Sequence, residues 1–456
     1  MSNVPRATPP TYEADPPTHD GLPLIGNTHQ LVREQGGLYE AAAEHGEVVR
    51  LELLGIGDLY LVNDPGLVEA VLTDTDRFRK STQSQEDLGD LLGRGLVLSE
   101  GDLWERQRQR IQPAFYMDRI ADYADTMASE IQASADDWAG SPTVDIEDEM
   151  KALTLRILVK SIFGSEMDYE DRGIRGTVEQ LQEPGQPAKQ PIARMVPRWV
   201  PIPMWRRYSE GIEEMESVIE EFVAARRGEA GGNDDLLSML LAATDEDGES
   251  MSEELLRDEL MTFLFAGHET TATALTFTWY LLAQHPEVER KLVAELEEVL
   301  DGEPATFGDL PDLEYTGQVL REGMRLYPPV PQIPRDTTEP VELGGYRIPE
   351  GATVAPCQWT VHRDGSYWAY PHEFRPERFA DDDRPQFAYF PFGVGPRRCI
   401  GEQFAMVEGK LILATLARRY HLELVSDPGI DLSVSITTRP LDPIEMHVEP
   451  RTGDRR

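Results

Sequence analysis

Between Ser250 and His285 no proline interrupts the chain, and the one glycine is Gly267. Ser250-x-x-Glu253 has the form of a capping box. The spacing predicts a helix of about 32 residues, about 48 Å long at 1.5 Å per residue. An element of that length crosses a whole domain, so the other elements must be arranged around it. Leu260-Met261-Thr262-Phe263-Leu264-Phe265-Ala266 is apolar on all sides and should be buried. Gly267-His268-Glu269-Thr270-Thr271 then puts an acid and two hydroxyls into that buried stretch, which is costly unless they have partners or work to do. Gly267 suits a close approach to the backbone. Threonine hydroxyls that bond back to carbonyls would open the helix locally, leaving a groove with room for water and oxygen.

The second constraint is the run Phe392-Gly393-Val394-Gly395-Pro396-Arg397-Arg398-Cys399-Ile400-Gly401. Its glycines allow a tight loop, its arginines supply positive potential, and a helix is expected directly after the sulfur. Helix N-terminal N–H groups and nearby cations both favour a thiolate, the form that binds a soft metal. With Cys357 the only other cysteine, a disulfide scaffold and a cysteine-rich zinc site are excluded. Cys357 ends an expected strand and is read as structural.

The chain has 456 residues, 43 basic against 83 acidic, for a net charge of −40; six of the bases are lysine, at 80, 151, 160, 189, 291 and 410. The acids are dispersed rather than gathered in a tail. Dispersed acid with little lysine suits a surface that stays hydrated in molar salt, where the Debye length is about 3 Å and self-repulsion is screened. A halophilic cytoplasm is the expected setting. Nucleic acid is not an expected partner, since phosphate binding needs positive surface. No signal peptide and no run of 18 apolar residues is visible, so neither a transmembrane anchor nor secretion is expected.

Residues 1–20 read as a flexible leader and 21–456 as a single catalytic domain. Strands are expected at 48–53 and 58–62, helices from Pro65 to about 180, and prolines break 184–203. The apolar residues there (Met195, Trp199, Ile202, Met204, Trp205) mark either an access region or a packed connector. Helix dominates again from 208 to 326. Short strands follow over 338–360 with a Gly344-Gly345 turn, then a helix from Cys399 to about Arg419 and strands over 421–449.

Five segments, in order, resemble the cytochrome P450 family: Trp104-x-x-x-Arg108, Ala266–Thr271, Glu322-x-x-Arg325, Pro376-Glu377-Arg378-Phe379 and Phe392–Gly401. The resemblance implies a mainly α fold with a smaller β-rich lobe, and haem b between the long central helix and the cysteine loop. It implies Cys399 as the iron ligand, in a signature that includes Phe392, Gly395, Arg397 and Gly401. Trp104, Arg108, Arg335 and Arg397 would bind the haem propionates. Thr270 would hydrogen-bond dioxygen and Glu269 would relay protons. Glu322, Arg325 and Arg378 would form a structural clamp fixing the cysteine loop. His268 has no part in that pattern.

The implied activity is insertion of one oxygen atom of dioxygen into an apolar small molecule, a lipid or terpenoid. Electrons would come from NAD(P)H through a reductase and a ferredoxin-type donor, since no flavin reductase is expected within the chain. Arg106, Arg108, Arg110, Arg397 and Arg398 would form a basic island for an acidic ferredoxin. A peroxide-driven oxygenase and a non-catalytic haem protein are the alternative readings of the same fold.

Overall fold

The computed structural model describes residues 15–451 except 35, 56, 165–172, 183–199, 201, 229–234, 244–249, 382, 426, 427 and 435. Residues 1–14 of the expected leader, and most of the proline-broken stretch, lie outside the described residues.

The central helix runs unbroken over Glu253–Gln284, 32 residues. Its N-cap is Ser252, whose hydroxyl accepts from the Leu255 N–H at 3.2 Å. The cap is therefore not the expected Ser250, because Glu253 is already the first helical residue. Pro286 ends it by starting the next helix, Pro286–Leu300, where its missing N–H costs nothing. Helices Ile146–Phe163, Glu314–Leu326 and Glu402–Arg419 pack around it. The largest apolar cluster sits here, including Leu153, Ile157, Leu260, Leu264, Leu275, Trp279, Leu411 and Leu413. Full burial of a side chain this size stabilises by about 1.5–3 kcal/mol.

The β-rich lobe is built on a five-stranded sheet ordered Val48–Leu53, Gly57–Val62, Thr353–Pro356, Arg335–Thr337, Phe78–Lys80. Val48–Leu53 and Gly57–Val62 are the strands expected at 48–53 and 58–62, paired antiparallel with Leu53 opposite Gly57. Gly344 and Gly345, at φ 60° and 81°, turn Val341–Leu343 back onto Tyr346–Ile348. Phe78–Lys80 and Thr143–Asp145 are strands that the helical pattern of their surroundings hid. Thr143–Asp145 joins Glu445–Pro450 and Tyr420–Leu424 in a three-stranded sheet, and Leu432–Val434 pairs with Thr438–Pro440. Met204 and Trp205 are buried in the core, so these two act as packing residues.

Candidate active site

The cysteine loop is shaped by two glycines in the left-handed region, Gly393 at φ 69° and Gly395 at φ 72°. A Cβ on Gly395 would stand 2.7 Å from the Leu72 carbonyl oxygen, so this position tolerates no side chain. The Cys399 N–H closes the loop onto the Phe392 carbonyl at 2.8 Å. Gly401 caps helix Glu402–Arg419 with an ordinary φ of −86°, and a methyl there would only touch Phe115 and the Cys399 sulfur.

Cys399 is an exposed residue. Protein still encloses it enough that desolvation, the largest influence, raises its pKa. The Gly401 N–H pulls downward, Glu402 upward, and Arg108 and Arg398 downward again. The expected cations are thus half right. Arg398 and Arg108 act on the sulfur, but Arg397 turns away to the Phe78 carbonyl and Glu100. Loop and helix alone do not ionise this thiol; coordination to a metal would, since a bound cation deprotonates a thiol outright. Arg108 ties its helix, Gly101–Ile111, to the loop by donating to the Arg398 carbonyl at 2.8 Å.

Trp104, Arg335 and Arg397 meet around a residue that sequence reasoning passed over, Lys80. Its ammonium lies 5.9 Å from the Trp104 ring centroid and donates to the Leu96 and Ser99 carbonyls at 2.8 and 2.7 Å. Lys80 pairs in register with Arg335 across antiparallel strands. Burial, with Arg397 acting in the same direction, pushes Lys80 down to about 7 and Arg335 to about 10. Glu100 faces all three cations, and Glu259 acts on Lys80 as well. Arg335 makes no ion pair among the described residues, and the buried Nε of Arg397 has no partner. Three cations with Glu100 common to them and Glu259 acting on Lys80 still carry excess positive charge, which suits a further anionic group. A porphyrin with two propionates and an iron facing a cysteine sulfur fits this donor set.

On the central helix, Leu260–Leu264 are buried as expected, whereas Ala266 is exposed. The Thr270 hydroxyl donates to the Ala266 carbonyl at 2.9 Å, and Thr271 donates to that of Gly267 at 3.3 Å. These back-bonds leave the helix continuous, without the expected local opening. What approaches Gly267 is Leu158 of the neighbouring helix: a Cβ would lie 2.9 Å from its Cδ2. His268 is buried and bonded to the Leu264 carbonyl at 2.6 Å; burial pushes it down to about 4, so it is neutral at pH 7.

Glu269 is buried and faces the C-terminal hairpin. Thr437 donates to its Oε1 at 2.7 Å, and Arg439 forms an ion pair with the same oxygen. Burial pushes its carboxyl upward, but Arg439, the Thr437 hydroxyl and His268 hold it below the ordinary carboxylate value.

Glu322 and Arg325 are both fully buried and bonded twice, at 2.7 and 2.9 Å; Arg378 joins Glu322 at 2.9 Å. Arg325 also donates to the carbonyls of His362 and Pro371 at 2.7 Å. The clamp reaches the cysteine loop indirectly. The His362 ring accepts the Phe390 N–H at 3.0 Å, and the Phe390 carbonyl accepts the Gly393 N–H at 2.9 Å.

A family model described as cytochrome P450 matches residues 16–442. Cyclooctatin synthase from Streptomyces melanosporofaciens is 34% identical over 94% of this chain and 95% of its own length. Cyclooctat-9-en-7-ol 5-monooxygenase of the same organism is 34% identical, with 94% of each chain covered. Pentalenene oxygenase from Streptomyces avermitilis is 30% identical over 90% of this chain and 91% of its own. The chain belongs to the cytochrome P450 family and is an oxidoreductase of the monooxygenase type.

Proposed function

We propose that this cytochrome P450 is a haem-thiolate enzyme that inserts one oxygen atom of dioxygen into a terpenoid. The observation that carries the haem assignment is the pairing of Cys399, set before the helix Glu402–Arg419, with the cation cluster Lys80, Arg335 and Arg397. Bound haem would supply the iron centre at which dioxygen is reduced and cleaved. Trp104, Arg108, Arg335, Arg397 and Lys80 would neutralise the propionates and fix the ring. The Thr270 hydroxyl, on the helix face where Ala266 is exposed, would hold a hydrogen bond at the reacting oxygen. Glu269, one residue earlier, would carry protons inward from solvent. A terpenoid substrate rests on the names of the relatives, three of which are oxygenases or synthases of cyclooctatin or pentalenene type.

Electrons would come from NAD(P)H through a separate ferredoxin-type donor. Arg106 is exposed, Arg398 of the cysteine loop is 55% exposed, and Tyr116 and Met117, which follow the short turn Gln112–Phe115 after the Arg108 helix, are 55% and 43% exposed. Apolar contacts of this kind would carry affinity where salt screens charge. Arg398 is already paired with Glu402, which makes Arg106 the stronger electrostatic contact. Arg106→Glu should slow reduction by a ferredoxin without altering the haem spectrum.

The test of the whole reading is the reduced protein with carbon monoxide, which should show the far-red-displaced band of a sulfur-ligated haem. Its absence from folded, haem-loaded protein would overturn the assignment. Cyclic terpenes that shift the haem from low to high spin would then identify the substrate class; no response to any of them would remove the terpenoid reading.

A further inference from the structure

The ion pair between Glu269 and Arg439 joins two parts of the chain that the sequence motifs treat separately. Arg439 belongs to strand Thr438–Pro440, opposite Ser433 in the hairpin. The hairpin is anchored: the Thr438 N–H and hydroxyl donate to the Pro329 and Pro328 carbonyls at 2.9 and 2.8 Å. Arg439 also donates to the Thr437 hydroxyl at 3.2 Å, so these two donors to Glu269 are held by the same hairpin. The Arg439 and Glu269 side chains are 11% and 7% exposed. Successive helical residues point about 100° apart, so Glu269 looks to the hairpin while Thr270 looks to the side where Ala266 is open.

A carboxylate held this way has no proton to give. It is ionised at neutral pH, and a buried guanidinium keeps it so. Opening the pair without neutralising it would strand two buried charges, at high cost. Taking up a proton removes the attraction and lets the carboxyl turn. Protonation and release from Arg439 are then one event.

We propose that Arg439 is a latch on proton supply: it holds Glu269 against the C-terminal hairpin, and protons reach the Thr270 side only as that pair opens. Arg439 is a positioning residue, acting through Glu269. The inference rests on the reading of Glu269 as a proton carrier. The proton comes from solvent to the Glu269 carboxylate and leaves toward Thr270, and the carboxylate returns to Arg439. Among the described residues, Arg439, His268 and the Thr437 hydroxyl act on Glu269. Lys151, from helix Ile146–Phe163, acts on His268, and Glu408, from helix Glu402–Arg419, faces Thr271.

The test is infrared titration of the carboxylic-acid band of Glu269 in the haem-loaded protein, assigned by its loss in Glu269→Gln. In the unmutated protein the band should be absent at pH 7. In Arg439→Met the midpoint should rise by at least about one unit, a tenfold gain in proton affinity, while Arg439→Lys stays near the original value. The acid-side limb of product formation against pH should move with it. Thr437→Val, which removes one hydrogen bond, should shift both in the same direction by less, and it carries the test if Arg439→Met does not fold. An unmoved infrared band would overturn the proposal. A band that moves while the pH profile of product formation stays fixed would reduce Arg439 to a structural partner and equally overturn it. Failure of the proton-carrier reading is distinct: Glu269→Gln would then form product at the original rate.

Discussion

Lys80 and Arg335 occupy the same rung of an antiparallel ladder, two cations side by side in a chain with 83 acidic and 43 basic residues. Like charges directly opposite one another destabilise a strand pair. The arrangement makes sense as a place prepared for an anion from outside the chain.

Haem capture should therefore depend on pH through Lys80. In the haem-free chain burial pushes this lysine down to about 7, so above that pH it is mostly neutral. Propionates beside it would favour the cation. Haem binding then takes up a proton, and affinity should fall as pH rises from 7 to 9. Lys80→Met should flatten that dependence and weaken binding at pH 7 by about tenfold, the equivalent of one pKa unit of interaction. Haem titration of the apoprotein by tryptophan quenching measures both. An affinity that is flat with pH in the unmutated protein contradicts the idea.

Glu322 should be far more sensitive than a surface acid. It lies between Arg325 and Arg378 with no exposed side-chain surface. Glu322→Gln leaves the buried Arg325 uncompensated, and breaking a buried pair costs about 3–5 kcal/mol. The variant should unfold at markedly lower denaturant and purify with little haem. A denaturation midpoint close to the original would show that the clamp carries no such weight.

Glu259 gives a pH dependence of stability with the opposite sign from an ordinary ion-paired acid. Its carboxylate accepts the Leu96 N–H at 3.0 Å and a bond from Gln107, yet burial pushes it up to about 7. Between pH 4.5 and 7 the folded form binds more proton than the unfolded one, so this residue's contribution falls as pH rises through that window. Glu259→Gln removes the charge. It should change stability little at pH 5 and raise it by up to about 3 kcal/mol at pH 8. Equal effects at both pH values, read by thermal unfolding, would count against it.

Gly267→Ala should destabilise by about 1–3 kcal/mol through overpacking against Leu158. Adding Leu158→Ala should return part of that loss, so the two changes should couple in a double-mutant cycle. Strict additivity would mean that the helices move apart instead.

The long helix, the cysteine helix and the two hairpins were legible because periodicity, proline and glycine all agree there. Ser252 displaced Ser250 as cap: the two serines lie one and three residues before Glu253, and pattern alone does not show at which of them the helix begins. Lys80, Glu100 and Arg439 were not legible. Each matters through a partner more than a hundred residues away, or through a three-residue strand too short to show alternation. At Cys399 the influences expected from the sequence, a helix-end N–H and nearby cations, do act on the sulfur, and desolvation outweighs them. The loop sequence shows the cations, but only the fold shows how much water the sulfur loses.

The sheet that lines up Lys80 with Arg335 also sets a timetable. Strands Gly57–Val62 and Phe78–Lys80 wait for Thr353–Pro356 and Arg335–Thr337 before any of them is paired on that side. Contacts so distant along the chain form slowly. On the ribosome, the proposed propionate cradle would therefore be absent until most of the polypeptide has emerged, and haem insertion would belong to the closing moments of synthesis or after release.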